Sequence, residues 1–326
     1  IRDRVYLKLI ERYGGLDRDA AFEAAAAFRP ILETHAPDLL LEMQGIADGA
    51  DCDLADVLLI NARSELMDTM GECTALAVTP EVTARDRVLL GQNWDWYTAC
   101  EAEPVLLRVR QPGCPEILTL TEAGQVGKIG LNSAGLGVCL NFLSHADRGT
   151  GVPVHVILRL MLGCAALGEA IRVAYNLPRG GAANVLLAHA GGDILNLELT
   201  AAAADFGYGD GGWLVHANHY ESHRLRGGDT GLATSMSTLA RAARARRFLS
   251  TEAARASVSA DTFRAILRDH AYGAYAICRH ADPGEPLLQQ TATRASAIMD
   301  LEARTLYLAA GQPCRQEYRP FSLPAG

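Results

Sequence analysis

The pattern of apolar residues changes once, at Gly71, and this change limits what the chain can fold into. Before it, apolar positions recur at helical spacing. Residues 17–28 are Ala-rich with Phe22 and Phe28, Pro30 interrupts them, and residues 39–46 resume the spacing with Asp38 as a candidate N-cap. Asp48-Gly49 and Asp51-Cys52-Asp53 break the run, and residues 54–67 carry it on through Val57, Leu58, Leu59, Ile60 and Leu66. After Gly71 the runs are short, apolar and β-compatible: 73–78, 88–96, 105–110, 116–121, 127–131 and 136–142, separated by Gly, Pro and Asn. A helical stretch follows over 153–175, divided near Gly163 or Gly168. Strands are then expected over 184–190, 193–199 and 213–217, helices over 234–250 and 261–270, and a final hairpin pairing 295–300 with 305–309. Helices and strands thus arrive in blocks, which predicts an α+β fold rather than a doubly wound α/β one.

Composition removes several classes of function. Thirty basic residues against 38 acidic ones leave a net charge of −8, which argues against a broad nucleic-acid surface. Only Lys8 and Lys128 are lysines, so Schiff-base or lysine-base chemistry has two candidates, neither in a recognisable motif. The eight cysteines stand singly with no CxxC pair, which disfavours a zinc ribbon or a thioredoxin-type redox centre. No apolar run approaches the roughly 20 residues needed to span a bilayer. The residues from Ile1 carry no apolar leader, so the expectation is a cytoplasmic protein with reduced thiols that binds neither membrane nor nucleic acid.

Four groups of residues could carry chemistry. Cys73 opens the first strand, preceded by Gly71-Glu72 and followed by Thr74. If the Glu72–Cys73 bond were cut, Cys73 would gain a free α-amine with a reference pKa of about 7.7–8.0. That amine could take the thiol proton without a catalytic His, and the thiol itself could make the cut by attacking the preceding carbonyl. The plainer alternative is a buried Cys in a strand. Gly91-Gln92-Asn93-Trp94-Asp95-Trp96 places two of the three tryptophans and three polar side chains at the end of an apolar strand. Such polar groups must be paired when buried, which suits a site; an edge strand packing its tryptophans is the alternative.

The third group is His216-Ala217-Asn218-His219. An Asn at a strand end suits an oxyanion-hole donor. His216, His219 and His223 could suggest metal ligands, but no carboxylate or Cys stands at a fixed spacing from them, and no metal is expected. The fourth is the basic helix 237–247, in which Arg241 and Arg244 share a face and could reach an anionic site; a solvated basic face is the alternative. Residues 207–212 are Gly-rich, match neither phosphate-binding fingerprint, and read as a turn.

Taken in order, Gly71-Glu72-Cys73-Thr74, Gly91–Trp96, Asn132-Ser133-Ala134-Gly135-Leu136-Gly137 and His216-Ala217-Asn218-His219 resemble the acyl-CoA:6-aminopenicillanic acid acyltransferase family. These are the isopenicillin-N acyltransferase-like autoproteolytic cysteine peptidases among the N-terminal-nucleophile (Ntn) hydrolases. Further matches lie at residues 42–49 and 61–65, at Ile277-Cys278-Arg279-His280 and at residues 299–303, so the similarity runs collinearly over about residues 40–315.

The resemblance implies the four-layer αββα Ntn sandwich as a single domain over 1–326. Self-cleavage would leave 1–72 as a small helical chain associated with a large catalytic chain, 73–326. It implies Cys73 as nucleophile, its freed amine as base, Asp95 as the aspartate that orients amine or thiol, Asn218 as oxyanion-hole residue and an Arg of the basic helix, Arg241, to complete the site. Asn93, Trp94, Trp96, His219 and Thr238 are the neighbouring candidates for a substrate site. The family's Ser-Arg pairing is not reproduced in that helix, which reads Ser237-Thr238, and Glu72 stands where the penicillin-forming enzymes have Gly.

The expected activity is cleavage or formation of a small-molecule amide through an acyl-cysteine, in specialised metabolism. No cofactor is expected, and acyl-CoA is a candidate co-substrate. The alternatives are a catalytically inactive relative that binds a metabolite or partner protein, and a metal-dependent hydrolase built on His216, His219 and His223.

Overall fold

A computed structural model describes residues 6–67, 71–100 and 104–324. Among the described residues, the block before Gly71 forms six short helices: α1 (Leu7–Gly14), α2 (Arg18–Ala26), α3 (Arg29–His35), α4 (Pro37–Ala50), α5 (Leu54–Asn61) and α6 (Arg63–Leu66). Asp38 does not cap α4. Pro37 begins that helix, Ala36 holds the N-cap position, and Asp38 sits in the first turn, where a carboxylate favours the helix dipole instead. Asp53 holds the N-cap position of α5, and its N–H donates to Asp56 Oδ2 at 3.1 Å.

After Gly71 come β1 (Glu72–Val78), β2 (Leu89–Tyr97), β3 (Pro104–Val109), β4 (Ile117–Glu122), β5 (Ile129–Asn132) and β6 (Leu136–Phe142). Two helices, α7 (Val154–Leu162) and α8 (Leu167–Asn176), separate these from β7 (Ala183–His189), β8 (Ile194–Leu199), β9 (Ala204–Tyr208) and β10 (Trp213–His216). The chain ends with α9 (Ser237–Ala253), α10 (Ala260–Leu267), β11 (Thr291–Asp300), β12 (Thr305–Ala309) and β13 (Arg319–Ser322). Strands β9 and β13 were not expected from the sequence, and β11 begins earlier than expected. Both unexpected strands lie at sheet edges, and every residue of β13 is exposed, so neither shows the apolar run that marks a buried strand.

The strands form two antiparallel sheets, ordered β10-β1-β2-β11-β12-β13 and β3-β4-β5-β6-β7-β8-β9. Helices α9 and α10 cover the first sheet through a core of Leu76, Val78, Ala245, Leu249, Phe263 and Ile298. The larger core lies between the sheets and continues into α7, α8 and the N-terminal helices. The order of layers is therefore helix, sheet, sheet, helix. Buried polar bridges fix how the sheets sit on one another. The Gln92 side chain of β2 bonds the backbone of Leu140 in β6 in both directions, and His216 of β10 pairs with Glu198 of β8 at 2.8 Å. A slip of one residue would break these pairs and strand them in the core.

Candidate active site

Strand β1 is central, flanked by β10 and β2, and alternation gives its residues two destinations. Cys73, Ala75 and Ala77 enter the core between the sheets, whereas Leu76 and Val78 face α9 and α10. Cys73 lies opposite Trp94, and Glu72 opposite Asp95. Gly71 precedes the strand because the Trp96 ring lies against it: a Cβ there would sit 2.5 Å from the indole.

The Cys73 backbone is held on both sides. Its N–H donates to Asn218 Oδ1 at 2.7 Å. Its carbonyl accepts from Arg241 at 2.6 Å, and the same guanidinium donates to Thr74 Oγ1 and to Asn218 Oδ1, each at 3.0 Å. Asn218 Nδ2 donates to Gly71 O at 3.2 Å and to Phe142 O at 2.9 Å. The Thr238 hydroxyl accepts from Asn218 N–H at 2.6 Å and bonds His219 Nδ1 at 2.9 Å. Thr238 and His219 therefore fix Asn218.

Glu72 and Asp95 lie on the helix-facing side. The Glu72 carboxylate is gripped by Arg279, by Arg241 at 3.3 Å, and by the hydroxyls of Ser235 and Ser237. Burial alone would raise its pKa, but the two guanidinium groups and two hydroxyls outweigh that and hold it below the ordinary carboxylate value. Asp95 Oδ1 accepts from Thr293 Oγ1 at 2.6 Å, while its Oδ2, fully buried, has no hydrogen-bond partner among the described residues. Burial pushes Asp95 up to about 6, against the pull of Arg279 and Arg241. Thr293 also ties Asp95 to Arg279, because its hydroxyl accepts the Arg279 N–H at 2.9 Å.

The inter-sheet side is different. Cys73 shares a tight cavity of about 20 Å³ with Trp94, Trp96, Lys128, Arg63 and His155. Lys128 Nζ stands 3.4 Å from the Trp94 ring centroid and 3.1 Å from Glu122, and Arg63 stacks over Trp96 at 4.7 Å while pairing with the same Glu122. The two tryptophans thus form a platform for buried cations. Burial, with the nearby Asp95 charge, pushes the Cys73 thiol up to about 11, and Lys128 partly offsets this. Burial brings Lys128 itself down to about 8, although Glu122 opposes the fall.

A larger cavity of about 680 Å³ opens on the helix-facing side. Glu72, Ser235, Ser237, Arg279 and Thr291 give it a polar floor, and Tyr13, Tyr97, Tyr272 and Tyr275 line it. The Glu72 side chain stands in this floor, next to the Cys73 backbone.

Of the residues singled out from sequence, Cys73, Asn218, Arg241, Thr238 and His219 meet in one hydrogen-bonded cluster. Asp95 joins through Thr293, whose hydroxyl also accepts the Arg279 N–H, and its charge acts on the Cys73 thiol. Trp94 and Trp96 line the small cavity, not the large one. Asn93 turns away from both: its amide bonds the carbonyls of Leu267 and Ile277 at 2.8 Å each, anchoring α10. The three histidines do not converge on a metal-like centre. His216 spends one ring nitrogen on Glu198 and the other on Ala217 O, and His223 is exposed. In the basic helix, Arg244 pairs with Asp269 and Arg246 with Glu221, leaving Arg241 as the one buried at the site.

Arg279, Lys128 and Thr293 were not foreseen as site residues. Arg279 lay in a matched segment that carried no role, and Lys128 stands in a short apolar run whose neighbours give no hint that a Trp ring awaits it.

Two stacked antiparallel sheets between helical layers, with a Cys at the start of a central strand, define the Ntn-hydrolase class. Solved structures of two mutant forms of the conjugated bile acid hydrolase from Clostridium perfringens share this fold. At 14% identity they cover 78% of this chain and 97% and 98% of theirs, with TM-scores of 0.52 and 0.53. The profile of the family described as acyl-coenzyme A:6-aminopenicillanic acid acyl-transferase matches residues 82–315, and the chain belongs to that family. Cys73 itself lies upstream of the matched range. The 40 kDa form of the acyl-coenzyme A:6-aminopenicillanic-acid acyltransferase of Emericella nidulans is 31% identical over 191 residues, 58% of this chain. The match spans about half of that relative, 54% of its length.

Proposed function

We propose that this chain is an N-terminal-cysteine amidohydrolase or N-acyltransferase that activates itself by cutting the Glu72–Cys73 bond. One observation carries the proposal: the uncleaved segment occupies the groups a substrate would need. Gly71 O accepts one N–H of Asn218, and the Glu72 carboxylate fills the Arg241–Arg279 cradle at the floor of the large cavity. Departure of this segment would free an oxyanion donor and an anion site together, and open the cavity towards Cys73.

In self-cleavage the thiol adds to the Glu72 carbonyl carbon, the C–N bond breaks, and the Cys73 nitrogen takes the proton. Water then hydrolyses the thioester, returning the thiol and leaving Glu72 with a free α-carboxylate. The new α-amine can settle against Asp95 Oδ2, the buried oxygen that lacks a hydrogen-bond partner among the described residues. In turnover that amine accepts the thiol proton as sulfur attacks an amide or thioester carbonyl, and hands it to the leaving group. The freed Asn218 N–H stabilises the tetrahedral oxyanion. The acyl-cysteine passes to water or to an amine. The chemistry uses no cofactor, and acyl-CoA serves as a candidate acyl donor.

The cleared guanidinium pair favours a small amide bearing a carboxylate near the scissile bond, with the tyrosines accepting its apolar part. We place the protein in specialised metabolism and, given its eight free thiols, in a reducing compartment. No described helix is long and apolar enough to cross a membrane. Denaturing mass spectrometry of the purified protein tests the reading: two chains, 1–72 and 73–326, are expected from wild type and one from Cys73→Ala. An intact Glu72–Cys73 bond in active wild type overturns it. An N-acyl amino acid panel against neutral amides then tests the substrate class, with Arg279→Gln expected to erase the preference for the carboxylate.

A further inference from the structure

Outside this site, four donors of metal-ligand type converge where three segments meet. His270 follows α10, Cys278 and His280 flank Arg279, and Cys314 lies beyond β12. The amide chemistry uses none of them. His280 Nε2 lies 3.1 Å from His270 Nε2, 3.3 Å from Cys314 Sγ and 3.9 Å from Cys278 Sγ. All four donor atoms fall within 4.8 Å of one another. An imidazole nitrogen offers one lone pair or one N–H, so His280 Nε2 can satisfy only one of its three neighbours. A cation among them satisfies all four. Tetrahedral zinc, with Zn–S of about 2.3 Å and Zn–N of about 2.0–2.1 Å, sets donor separations of roughly 3.3–3.8 Å. The observed distances straddle that range.

We propose that His270, Cys278, His280 and Cys314 form a structural zinc site. Two imidazoles and two thiolates are a borderline-soft set that suits zinc over magnesium or calcium. Binding releases the two thiol protons to solvent, and the two thiolates neutralise the ion. Four protein ligands leave no open position, so the site is structural rather than catalytic. His270 and Cys314 are exposed and give the ion a path in. The segments are already drawn together, by Cys278 N–H on Asp269 O at 3.0 Å and by Arg268 Nε on Pro313 O at 2.8 Å. The consequence for the active site follows from position. Arg279 stands between two ligands, and its guanidinium grips Glu72 and bonds Ser237 at 3.1 Å and Thr291 at 2.9 Å. Zinc would brace the backbone that aims Arg279, which makes the ligands positioning residues.

The test is metal analysis of the full chain, purified under reductant, loaded with zinc and then dialysed against zinc-free buffer. One zinc per chain is expected in wild type and in Cys114→Ser, an exposed cysteine outside the cluster. None is expected in the double variant His270→Ala, Cys314→Ser. Cobalt in place of zinc should give wild type the visible bands of a tetrahedral site and a thiolate-to-cobalt charge-transfer band. Neither readout depends on self-cleavage, so both can be repeated in Cys73→Ala, and failure here is distinct from failure of the activation reading. Wild type that keeps no zinc after dialysis, or a double variant that keeps as much as wild type, overturns the proposal.

Discussion

The two faces of the β1–β2 hairpin differ in how they treat charge. On the inter-sheet face Cys73 sits among Trp94, Trp96, Lys128 and Arg63, with Glu122 as the shared counter-ion. Groups there are locked by aromatic rings, and the cavity is too small for a substrate. On the helix face Glu72 and Asp95 meet Arg241 and Arg279 beside a cavity large enough for a small molecule. On the proposed reading, the first face sets the nucleophile and the second holds what it acts on. One peptide bond joins them, because adjacent strand residues point to opposite faces. The bond that links the faces is the one proposed to break.

The largest effect should come from Cys73→Ala, which removes the sulfur and is expected to abolish both cleavage and turnover; residual turnover at the wild-type rate would place the nucleophile elsewhere. Asn218→Ala comes next. Loss of an oxyanion donor typically costs about 10²–10³ in rate, and single-turnover kinetics should show it in turnover. Glu72→Gln, in a Cys73→Ala background that keeps the chain whole, leaves two buried guanidinium groups short of a carboxylate. Denaturant unfolding should show a loss of about 3 kcal/mol at neutral pH, the scale of a broken buried pair. The Glu72 pKa is lower folded than unfolded, so its stabilisation is present above the unfolded value and lost as pH falls through the folded one. The gap between the two proteins should therefore close in acid; a gap that persists would mean the contact is one of packing.

The smallest effects concern thiol ionisation. With Cys73 pushed up to about 11 in the uncleaved chain, its thiolate fraction climbs with pH through the neutral range. Cleavage of freshly refolded precursor should accelerate by roughly tenfold per unit between pH 7 and 9, and a flat profile would show that a neighbouring base takes the proton. Lys128→Met removes the cation that favours the thiolate, and should slow cleavage roughly threefold to tenfold, half to one unit of thiol pKa. If Lys128→Met instead left cleavage unchanged and altered only substrate preference, the division between the two faces would fail.

Much of the architecture was legible because it is local. Helical spacing before Gly71 and short strands after it produced the α-block and most strands of both sheets, and Pro37 and Gly71 punctuate where their chemistry requires. Asp38 misled because a carboxylate near a helix start can serve as cap or sit in the first turn, and the backbone places the N-cap at Ala36, two residues earlier, with no side-chain cap. Within the site, Cys73, Asp95 and Asn218 stood out through the order of their motifs. Arg279 did not: it lay in a matched segment, but nothing within a few residues of it gave it a role. Its role depends on Thr293, Ser237 and Glu72, which reach it from distant parts of the chain.

The sequence by itself determined the kind and order of most elements, the two edge strands β9 and β13 excepted, and which thiol opens an interior strand, because periodicity, turn residues and strand alternation act over a few positions. Only the tertiary structure decided that Glu72 would fill an arginine cradle, that Lys128 would lie on Trp94, and that cysteines and histidines spread from 270 to 314 would meet. Those outcomes rest on burial. A charge or a donor taken from water must find its partner wherever the fold has brought one, and no local pattern records where that is.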